Sequence, residues 1–388
     1  MRSVAVVGAS LAGVTAAKTL RQGGFEGDVV LVGKEPHAPY SRPPLSKEML
    51  YGEWDEKRIA LALPADARVD LRLGCEAASL DLAARRVVLD DGGHVDFDGL
   101  IIATGSEPRW LPVLGDRRGV HYLRTLDDAR SLRASLEQPS ARVVVVGGGF
   151  IGLEVAAAAR QRGLRVTVLE ALEAPLARVL GAEMGDFVAG LHRSHGVEVL
   201  TGVTVEGLLG DGRVESVVTD AGEIAADVVV VGVGARPVTG WLDGSGLVIN
   251  DGVVCDRFCA ALGAEGVFAA GDVARWHHVL FEEEIRVEHW DNAVAQGEVA
   301  ARNLLAGPEG AVPFAPVPFF WSDQFDAKLQ YVGHGGPHDD VAVVDGSPAD
   351  GRFVATYTRA GRLVGALLVN RMSRMPLWRR AVGDGAAP

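Results

Sequence analysis

The sequence predicts an α/β protein in which two similar strand–turn–helix units are followed by a smaller α+β domain. Two glycine-rich turns carry this prediction, residues 8–13 (Gly-Ala-Ser-Leu-Ala-Gly) and 147–152 (Gly-Gly-Gly-Phe-Ile-Gly), because each directly follows a short apolar run. The third observation is a change to alternating apolar and polar residues after Phe319. A strand, a tight glycine turn and a helix let a pyrophosphate approach bare backbone at the positive end of the helix. Two such turns therefore predict two Rossmann-like units that bind two dinucleotides.

The first unit is predicted from apolar runs of strand length and one helical pattern. Its expected elements are, in chain order, strand 3–8, helix 11–23, and strands 29–32, 68–74, 85–89, 94–98 and 100–105. The last strand begins Leu100-Ile101-Ile102, and such a fully apolar run is typical of a parallel strand buried on both faces.

The second unit repeats this order and is predicted to be inserted into the first. Its expected elements are strand 142–147, helix 150–163, and strands 166–170 and 227–232. A further buried strand at 266–272 and a helix at 291–305 then return the chain to the first unit. Four prolines between 308 and 318 indicate a linker, and the alternating patterns at 341–344 and 353–357 predict an antiparallel sheet with one solvated face. The predicted domains are 1–112 with 244–318, then 113–243, then 319–388.

Composition excludes several classes of protein. A chain of 388 residues is long enough for two or three domains, and its net charge of −13 argues against a nucleic-acid binder. No apolar run approaches a membrane span, and the first residues are interpreted as strand rather than signal peptide, so a soluble, cytoplasmic protein without membrane association is expected. Three cysteines without a C-x-x-C pattern predict neither a disulfide framework nor a metal site.

Glu170 predicts which dinucleotide the second unit binds. A carboxylate at the end of the second strand hydrogen-bonds a ribose 2′-hydroxyl and repels a 2′-phosphate, so NADH is expected rather than NADPH. Three nearby arginines weaken this prediction, because an arginine accommodates the phosphate: Arg160, Arg162 and Arg165. In the first unit the corresponding position is assigned to Lys34, with Glu35 next to it as the candidate acid.

Longer segments of the sequence resemble one known family. The run 39–47 (Pro-Tyr-Ser-Arg-Pro-Pro-Leu-Ser-Lys) and the run 320–324 (Phe-Trp-Ser-Asp-Gln) are similar to specific segments of the oxygenase-coupled ferredoxin reductases, the family of putidaredoxin reductase and of aromatic-ring dioxygenase reductases. Further matches occur in the family's order, at residues 103–105, 122–126, 147–154, 270–272 and 288–293. Two features depart from the pattern of this family. Lys34 replaces an acid that is common in the family, and the stretch after about residue 370 is short and matches the family poorly.

The resemblance implies a glutathione-reductase-like fold and two cofactors, FAD in the first unit and NADH in the second. The implied FAD residues are Gly8, Ser10, Leu11, Ala12, Gly13, Glu35, Arg42, Lys47, Ala77, Ala103, Thr104, Gly105, Arg124, Gly271, Asp272, Glu288, His289 and Trp290. The implied NADH residues are Gly147, Gly149, Phe150, Ile151, Gly152, Glu154, Glu170 and Gly234.

The resemblance also implies the chemistry. Hydride passes from nicotinamide to flavin without a general acid or base, since the cofactors carry the reaction. Glu154, Lys47 and Trp321 are the candidates near the reacting rings. For Glu154 a structural ion pair is the alternative, and for Trp321 packing at an interface. The segment 33–47 contains no cysteine, which argues against a disulfide reductase.

The implied partner is a [2Fe-2S] ferredoxin that supplies a cytochrome P450 or a Rieske-type oxygenase. Three alternatives stay open: a reductase of rubredoxin or another small acceptor, an apoptosis-inducing-factor-like flavoprotein that responds to NADH, and a nucleotide-binding scaffold without chemistry. A monomer or a homodimer is expected. The basic residues Arg371, Arg374, Arg379 and Arg380 belong either to a solvated tail or to a docking surface for an acidic partner.

Overall fold

The structure, a computed structural model, describes residues 1–64 and 67–388. The chain forms two compact units. The first contains Met1–Ser41, Glu56–Glu107 and Arg236–Pro318, and the second contains Arg42–Asp55, Pro108–Ala235 and Phe319–Pro388. The three domain boundaries drawn from the sequence remain a prediction. Within the described residues, no helix is both long enough and apolar enough to cross a membrane.

The strands are numbered in chain order. In the N-terminal half they are β1 Ser3–Val7, β2 Asp28–Gly33, β3 Val69–Leu73, β4 Ala77–Asp81, β5 Arg86–Leu89, β6 His94–Asp96, β7 Gly99–Ile102, β8 Ser106–Pro108, β9 Val120–Tyr122, β10 Arg142–Val146, β11 Arg165–Glu170, β12 Glu198–Thr201 and β13 Val205–Leu209. In the C-terminal half they are β14 Ser216–Thr219, β15 Gly222–Ala225, β16 Val228–Val231, β17 Ala235–Pro237, β18 Val253–Cys255, β19 Val267–Ala269, β20 Ala274–His278, β21 Glu283–Arg286, β22 Phe319–Gln324, β23 Ala327–Gly333, β24 Asp340–Ser347, β25 Arg352–Arg359 and β26 Arg362–Val369.

The helices vary in length from 4 residues to 21 residues. They are α1 Leu11–Gln22, α2 Glu48–Tyr51, α3 Glu56–Ile59, α4 Leu126–Leu136, α5 Phe150–Gln161, α6 Ala177–Ser194, α7 Trp290–Gly310 and α8 Met375–Asp384.

The first unit is built on a five-stranded sheet in the order β19-β7-β1-β2-β3, whose neighbouring strands all pair in parallel. Its central strands β1 and β7 are almost fully buried, as their apolar sequences predict. Helix α1 follows β1 and packs against α7, where Gly297 lets the two helices approach closely: a Cβ at this position would lie 2.5 Å from the carbonyl oxygen of Ala12. The predicted fold class is confirmed in this unit.

The second unit repeats the arrangement with the parallel order β12-β11-β10-β16-β9. Each copy makes the same backbone hydrogen bond at its glycine turn. Gly8 N donates to Val32 O at 2.8 Å, and Gly147 N donates to Leu169 O at 2.8 Å. The duplication visible in the sequence is therefore a duplication of backbone geometry.

The C-terminal segment of the second unit forms an antiparallel sheet in the order β22-β23-β26-β25-β24. The prediction of one solvated face holds for β24, where exposed and half-buried residues alternate. It is wrong for β25 and β26, which are buried along both faces. The reason is cover by helices: Phe353 of β25 packs edge-on against Phe187 of α6 at 4.9 Å, and α8 packs on β23 and β26.

The proline-rich linker begins later than predicted. Helix α7 extends to Gly310 and includes Pro308. Gly307, at φ +68°, has a non-helical backbone conformation and interrupts the helix just before this proline. Pro308 is therefore not in the interior of a continuous helix. The Asn303 side chain then holds the chain by two hydrogen bonds of 2.9 Å with the backbone of Val312.

Candidate functional site

The glycine turn of the first unit is a cradle that larger residues would fill. Gly8 has φ +117°, and a Cβ there would lie 2.1 Å from the carbonyl oxygen of Ala103. A Cβ at Gly13 would lie 1.9 Å from the carbonyl oxygen of Gly8. Both glycines are therefore required by close backbone approach.

Helix α1 begins directly above this cradle with Leu11, Ala12 and Gly13. In the described structure its N-cap Ser10 makes no side-chain capping bond, and the first turn carries no acid. The first backbone N–H groups of a helix need acceptors from outside it, and they carry partial positive charge. This helix end is thus suited to an anion.

The turn after β7 lies beside the same cradle, since a Cβ at Gly8 would also meet Thr104 N at 2.9 Å. Thr104 Oγ1 donates to Val238 O at 2.8 Å, and Gly105 O accepts from Val238 N at 3.0 Å, which fixes the turn after β7. Ala77 begins β4, a strand that was not predicted from the sequence.

The acid of the predicted second FAD motif is held in place. Ser106 Oγ donates to Asp272 Oδ2 at 2.9 Å, and Arg286 donates to Asp272 O at 3.0 Å. Arg286 also forms an ion pair with Glu288 at 2.5 Å. Gly271 N donates to the buried Gln296 Oε1 at 2.9 Å, so the backbone before Asp272 is fixed as well.

Helix α7 begins at Trp290, one residue earlier than predicted, with His289 as its N-cap. Trp290 is 38% exposed, and its indole N–H donates to Ser41 Oγ at 3.3 Å. A helix start of this kind presents partial positive charge to its surroundings.

The second cradle repeats the first. A Cβ at Gly147 would lie 2.4 Å from Gly232 O, and one at Gly152 would lie 2.3 Å from Gly147 O. At Gly149, the N-cap of α5, a Cβ would meet only an ordinary contact of 3.6 Å, so packing within the chain does not demand glycine there. The space in front of this position suits a ligand that approaches the backbone.

Three more of the predicted NADH residues lie in the second unit. Phe150 begins α5 and packs edge-on against Phe320 at 4.7 Å, while Ile151 is 45% exposed. Gly234 has φ +104°, and its carbonyl accepts from Arg109 N at 2.9 Å.

Glu170 ends β11 beside the second cradle. Its Oε2 accepts from Gly148 N at 2.7 Å, and its Oε1 accepts from Leu172 N at 2.8 Å, so both oxygens are oriented by backbone. Two of the three neighbouring arginines are engaged elsewhere: Arg160 binds His195 O at 2.9 Å, and Arg162 binds Leu50 O at 2.8 Å. Arg165 lies at the opposite end of β11, about 16 Å along the strand.

The strand register corrects the assignment of Lys34. Val7 pairs with Val32 in the first unit as Val146 pairs with Leu169 in the second, so the equivalent of Glu170 is Gly33 rather than Lys34. A Cβ at Gly33 would lie 2.6 Å from the Cβ of Ala9, which stands where the second cradle has Gly148. The methyl group of Ala9 therefore excludes an acid at Gly33.

The charged residues after Gly33 have partners of their own. Lys34 pairs with Glu76 at 2.8 Å on the surface. The carboxylate of Glu35 accepts from Tyr40 Oη at 2.5 Å.

A buried carboxylate network occupies the second unit. Lys47 Nζ donates to Glu154 Oε1 at 3.0 Å, and each of the two side chains is only 7% exposed. Ser46 Oγ donates to Glu154 Oε2 at 2.5 Å and Ser322 Oγ to Oε1 at 2.6 Å. Neither serine was predicted as a site residue, although both lie within the two most specific segments of the resemblance. Burial, reinforced by the nearby Glu154 charge, raises the pKa of Tyr51 to about 12.

The structure places three predicted FAD residues in the second unit. Arg42, Lys47 and Arg124 all belong to it, and Arg42 donates to Arg124 O at 2.6 Å. Trp321 lies in β22, where its ring stacks with that of Phe319 at 6.1 Å. The buried Cys255 and Cys259 are free thiols, and burial raises the pKa of each. No cluster of metal-binding side chains occurs among the described residues.

These features fit two dinucleotides. Each cradle has glycines that its own backbone requires and, as far as the structure describes the chain, a helix start without a side-chain cap. The second cradle also has an oriented carboxylate. These are the donors that a pyrophosphate and a ribose need.

Comparison with known proteins identifies the family. The chain matches the family of pyridine nucleotide-disulphide oxidoreductases over residues 2–297 and the reductase C-terminal family over residues 319–388. It is 40% identical to rhodocoxin reductase of Rhodococcus erythropolis over 376 residues, which covers 95% of this chain and 86% of the relative. It is 39% identical to the ferredoxin–NAD(+) reductase component of the anthranilate 1,2-dioxygenase system of Burkholderia cepacia, which covers 99% of this chain and 94% of that protein.

A solved structure agrees over nearly the whole chain. The crystal structure of the covalent putidaredoxin reductase–putidaredoxin complex matches with a TM-score of 0.93 and 34% identity, covering 99% of this chain and 93% of that one. This confirms the predicted fold class and the resemblance drawn from the sequence. The chain therefore belongs to the pyridine nucleotide-disulphide oxidoreductase family, as an FAD-containing, NAD(P)H-dependent enzyme of its ferredoxin reductase branch.

Proposed function

We propose that this enzyme takes electrons from NADH, passes them through FAD, and delivers them to a [2Fe-2S] ferredoxin that supplies a cytochrome P450 or a Rieske-type oxygenase. The observation that carries the proposal is the pair of helix starts over glycine cradles, which have no side-chain cap within the described residues. In that part of the chain only the second cradle has a strand-end carboxylate bound to its turn. Relatives named as ferredoxin reductase components of dioxygenases support the acceptor.

FAD is proposed to lie on the first cradle. The first turn of α1 would hold its pyrophosphate, Glu35 its adenosine ribose and Asp272 its ribityl hydroxyls. The Ser106 and Arg286 contacts, at 2.9 and 3.0 Å, support the last role because they fix the acid before a ligand arrives. The start of α7 would place positive potential near the pyrimidine side of the flavin. Bound FAD supplies the ring that accepts the hydride of NADH and releases single electrons.

NADH is proposed to lie on the second cradle. The first turn of α5 would hold its pyrophosphate and Glu170 its ribose hydroxyls. A 2′-phosphate would stand beside a carboxylate that two backbone N–H groups already orient, and the arginines at 160 and 162 are engaged elsewhere. This favours NADH over NADPH.

Glu154 and Lys47 are proposed to contact the nicotinamide end of the site. A buried carboxylate must be paired and hydrogen-bonded, and Glu154 accepts from Lys47, Ser46 and Ser322. Such a group would orient the nicotinamide amide without transferring a proton. The role of Trp321 on an electron route to the acceptor is also a proposal.

The acceptor is proposed to be acidic and to dock near the basic C-terminal segment. Asp345 already binds Arg371 and Arg374, each at 3.3 Å, whereas Arg380 is exposed. A cytoplasmic location is proposed as well, because buried free thiols and an NADH substrate suit a reducing compartment.

The experiment combines purified enzyme, FAD and NADH with three acceptors in turn: ferricyanide, a [2Fe-2S] ferredoxin with cytochrome c, and rubredoxin. The proposal predicts cytochrome c reduction that requires the ferredoxin. Fast ferricyanide reduction without ferredoxin-dependent reduction would remove the proposed partner, and slow bleaching into a long-lived complex would favour an NADH-responsive binding protein.

A further inference from the structure

The carboxylate network of the second unit continues far beyond Glu154. Ser322 Oγ, 2.6 Å from Glu154 Oε1, lies 3.1 Å from Gln324 Nε2. Gln324 Oε1 lies 2.9 Å from His192 Nε2. Ser322, Gln324 and His192 are each 0% exposed, so this chain of polar groups is completely shielded from water.

The direction of every hydrogen bond in this chain follows from the carboxylate. The Glu154 carboxylate accepts a hydrogen bond from Lys47, and an ionised carboxylate can only accept. The short bond to Ser322 therefore uses the single proton of the serine hydroxyl. Ser322 must then accept from the amide nitrogen of Gln324, which leaves the amide oxygen facing His192. An amide oxygen only accepts, so His192 carries its proton on Nε2. All three donors therefore point toward Glu154.

His192 is suited to end such a chain. Burial lowers the pKa of His192 to about 4, so the ring is neutral at neutral pH and has one N–H. Within the described residues its Nδ1 atom has no hydrogen-bond partner, so the chain stops there and does not lead a proton to solvent. The ring is held by an edge-on contact with Phe325 at 5.1 Å.

We propose that His192 and Gln324 are positioning residues for NADH oxidation, which hold Glu154 in its productive orientation through Ser322. The inference rests on the proposed contact of Glu154 with the nicotinamide. Neither His192 nor Gln324 is placed against a cofactor; they act through the carboxylate. The reason is geometric: Lys47 and Ser322 share Oε1, and Ser46 takes Oε2, so Glu154 keeps its rotamer only while each donor is itself fixed.

His195, at the same end of α6 as His192, provides a matched control. His195 stacks on the same Phe325 ring, at 4.0 Å, but its Nδ1 binds Leu191 O and its Nε2 faces Asp326 at 3.5 Å. None of these contacts leads to Glu154. His192→Phe removes the donor and keeps a buried ring, His192→Gln restores a donor, and His195→Phe is the control.

The test is anaerobic stopped-flow reduction of each FAD-loaded variant by NADH, together with the charge-transfer absorbance of the reduced product complex. The reoxidation of dithionite-reduced enzyme by ferricyanide is measured separately. His192→Phe is expected to lower the rate constant of flavin reduction by NADH about tenfold, the equivalent of one net hydrogen bond. His192→Gln should recover most of the rate, and reoxidation and the His195→Phe variant should stay at the wild-type level.

A double variant tests whether His192 acts through Glu154. The double variant His192→Phe/Glu154→Gln should lose no more than Glu154→Gln alone, because both changes remove one function. Ser322→Ala, the smallest change that cuts the chain, should reproduce the loss if His192→Phe fails to fold. Independent, additive losses, or equal losses in ferricyanide reoxidation, would overturn the inference while leaving Glu154 in its role. A wild-type rate for Glu154→Gln would remove both the proposed role of Glu154 and the inference.

Discussion

The backbone N–H of Gly148 donates a hydrogen bond to the Glu170 carboxylate, with 2.7 Å between nitrogen and Oε2. The turn that would receive the pyrophosphate thus holds the acid that would receive the ribose. Glycine at 148 leaves room for this bond, because a Cβ there would lie 3.0 Å from the same oxygen, which is tighter than an ordinary contact. A single hydrogen bond therefore joins the turn proposed for the pyrophosphate to the acid proposed for the ribose.

The first prediction concerns the choice between NADH and NADPH. Glu170→Ala should reduce the preference for NADH by up to about a thousandfold, because one charge pair near 4 Å costs roughly 4 kcal/mol at an effective dielectric of 20. The measurement is kcat/KM for both nucleotides with ferricyanide as acceptor. Glu173→Gln, an exposed acid three residues later, is the control and should leave the ratio unchanged. An unchanged ratio in the Glu170 variant would contradict the assigned role.

The second prediction concerns the steric conflict between the methyl group of Ala9 and any side chain at position 33. Gly33→Glu alone should weaken FAD binding and lower the Tm, because its Cβ would stand 2.6 Å from that of Ala9. Adding Ala9→Gly should recover much of the loss, as the second unit combines Gly148 with Glu170. FAD content after purification and thermal unfolding report both effects. If the double variant is as impaired as Gly33→Glu, the steric explanation is wrong.

The third prediction is that no thiol takes part in turnover. Burial raises the pKa of Cys255 and Cys259, so thiol reagents should modify the half-buried Cys75 first. Cys75→Ser should retain wild-type kcat, and the native enzyme should keep its activity after alkylation at neutral pH. Mass spectrometry locates the modified residue. Loss of NADH-dependent flavin reduction in step with alkylation of one buried cysteine would argue for a redox thiol.

The fourth prediction concerns stability in acid. The folded pKa of His192, about 4, lies below the ordinary value of 6.5, so the unfolded state binds the proton more readily. The free energy of unfolding therefore decreases by up to about 3 kcal/mol as pH falls from about 6.5 towards about 4. Urea unfolding at a fixed FAD concentration should show a shallower decline for His192→Phe than for the wild type, and parallel curves would contradict the assignment.

The features that the sequence predicts correctly are those specified by contiguous residues. Each glycine turn, the strand before it and the helix after it are contiguous, so the pattern at residues 8–13 and 147–152 specified both units. The fully apolar runs likewise predicted buried parallel strands. Glu170 was predictable because it ends the strand that follows the turn.

The partners of Glu154 were not predictable in this way. Ser46, His192 and Ser322 are far apart in the chain, and only the folded second unit brings Ser46 and Ser322 to Glu154, 2.5 and 2.6 Å from its oxygens. The register of β1 and β2 was also needed to see that Gly33, rather than Lys34, matches Glu170. Cover by α6 and α8 explains why β25 and β26 lack the alternation expected of a solvated sheet.

The central claim is that one chain binds FAD and NADH and joins them in a single reaction. The most direct test is to purify the protein, load it with FAD and add NADH in stoichiometric steps without oxygen while the visible flavin spectrum is recorded. We expect a yellow protein whose flavin absorbance bleaches in proportion to the NADH added and returns with ferricyanide. A protein that remains colourless after incubation with FAD, or a bound flavin that NADH leaves oxidised, would contradict the claim.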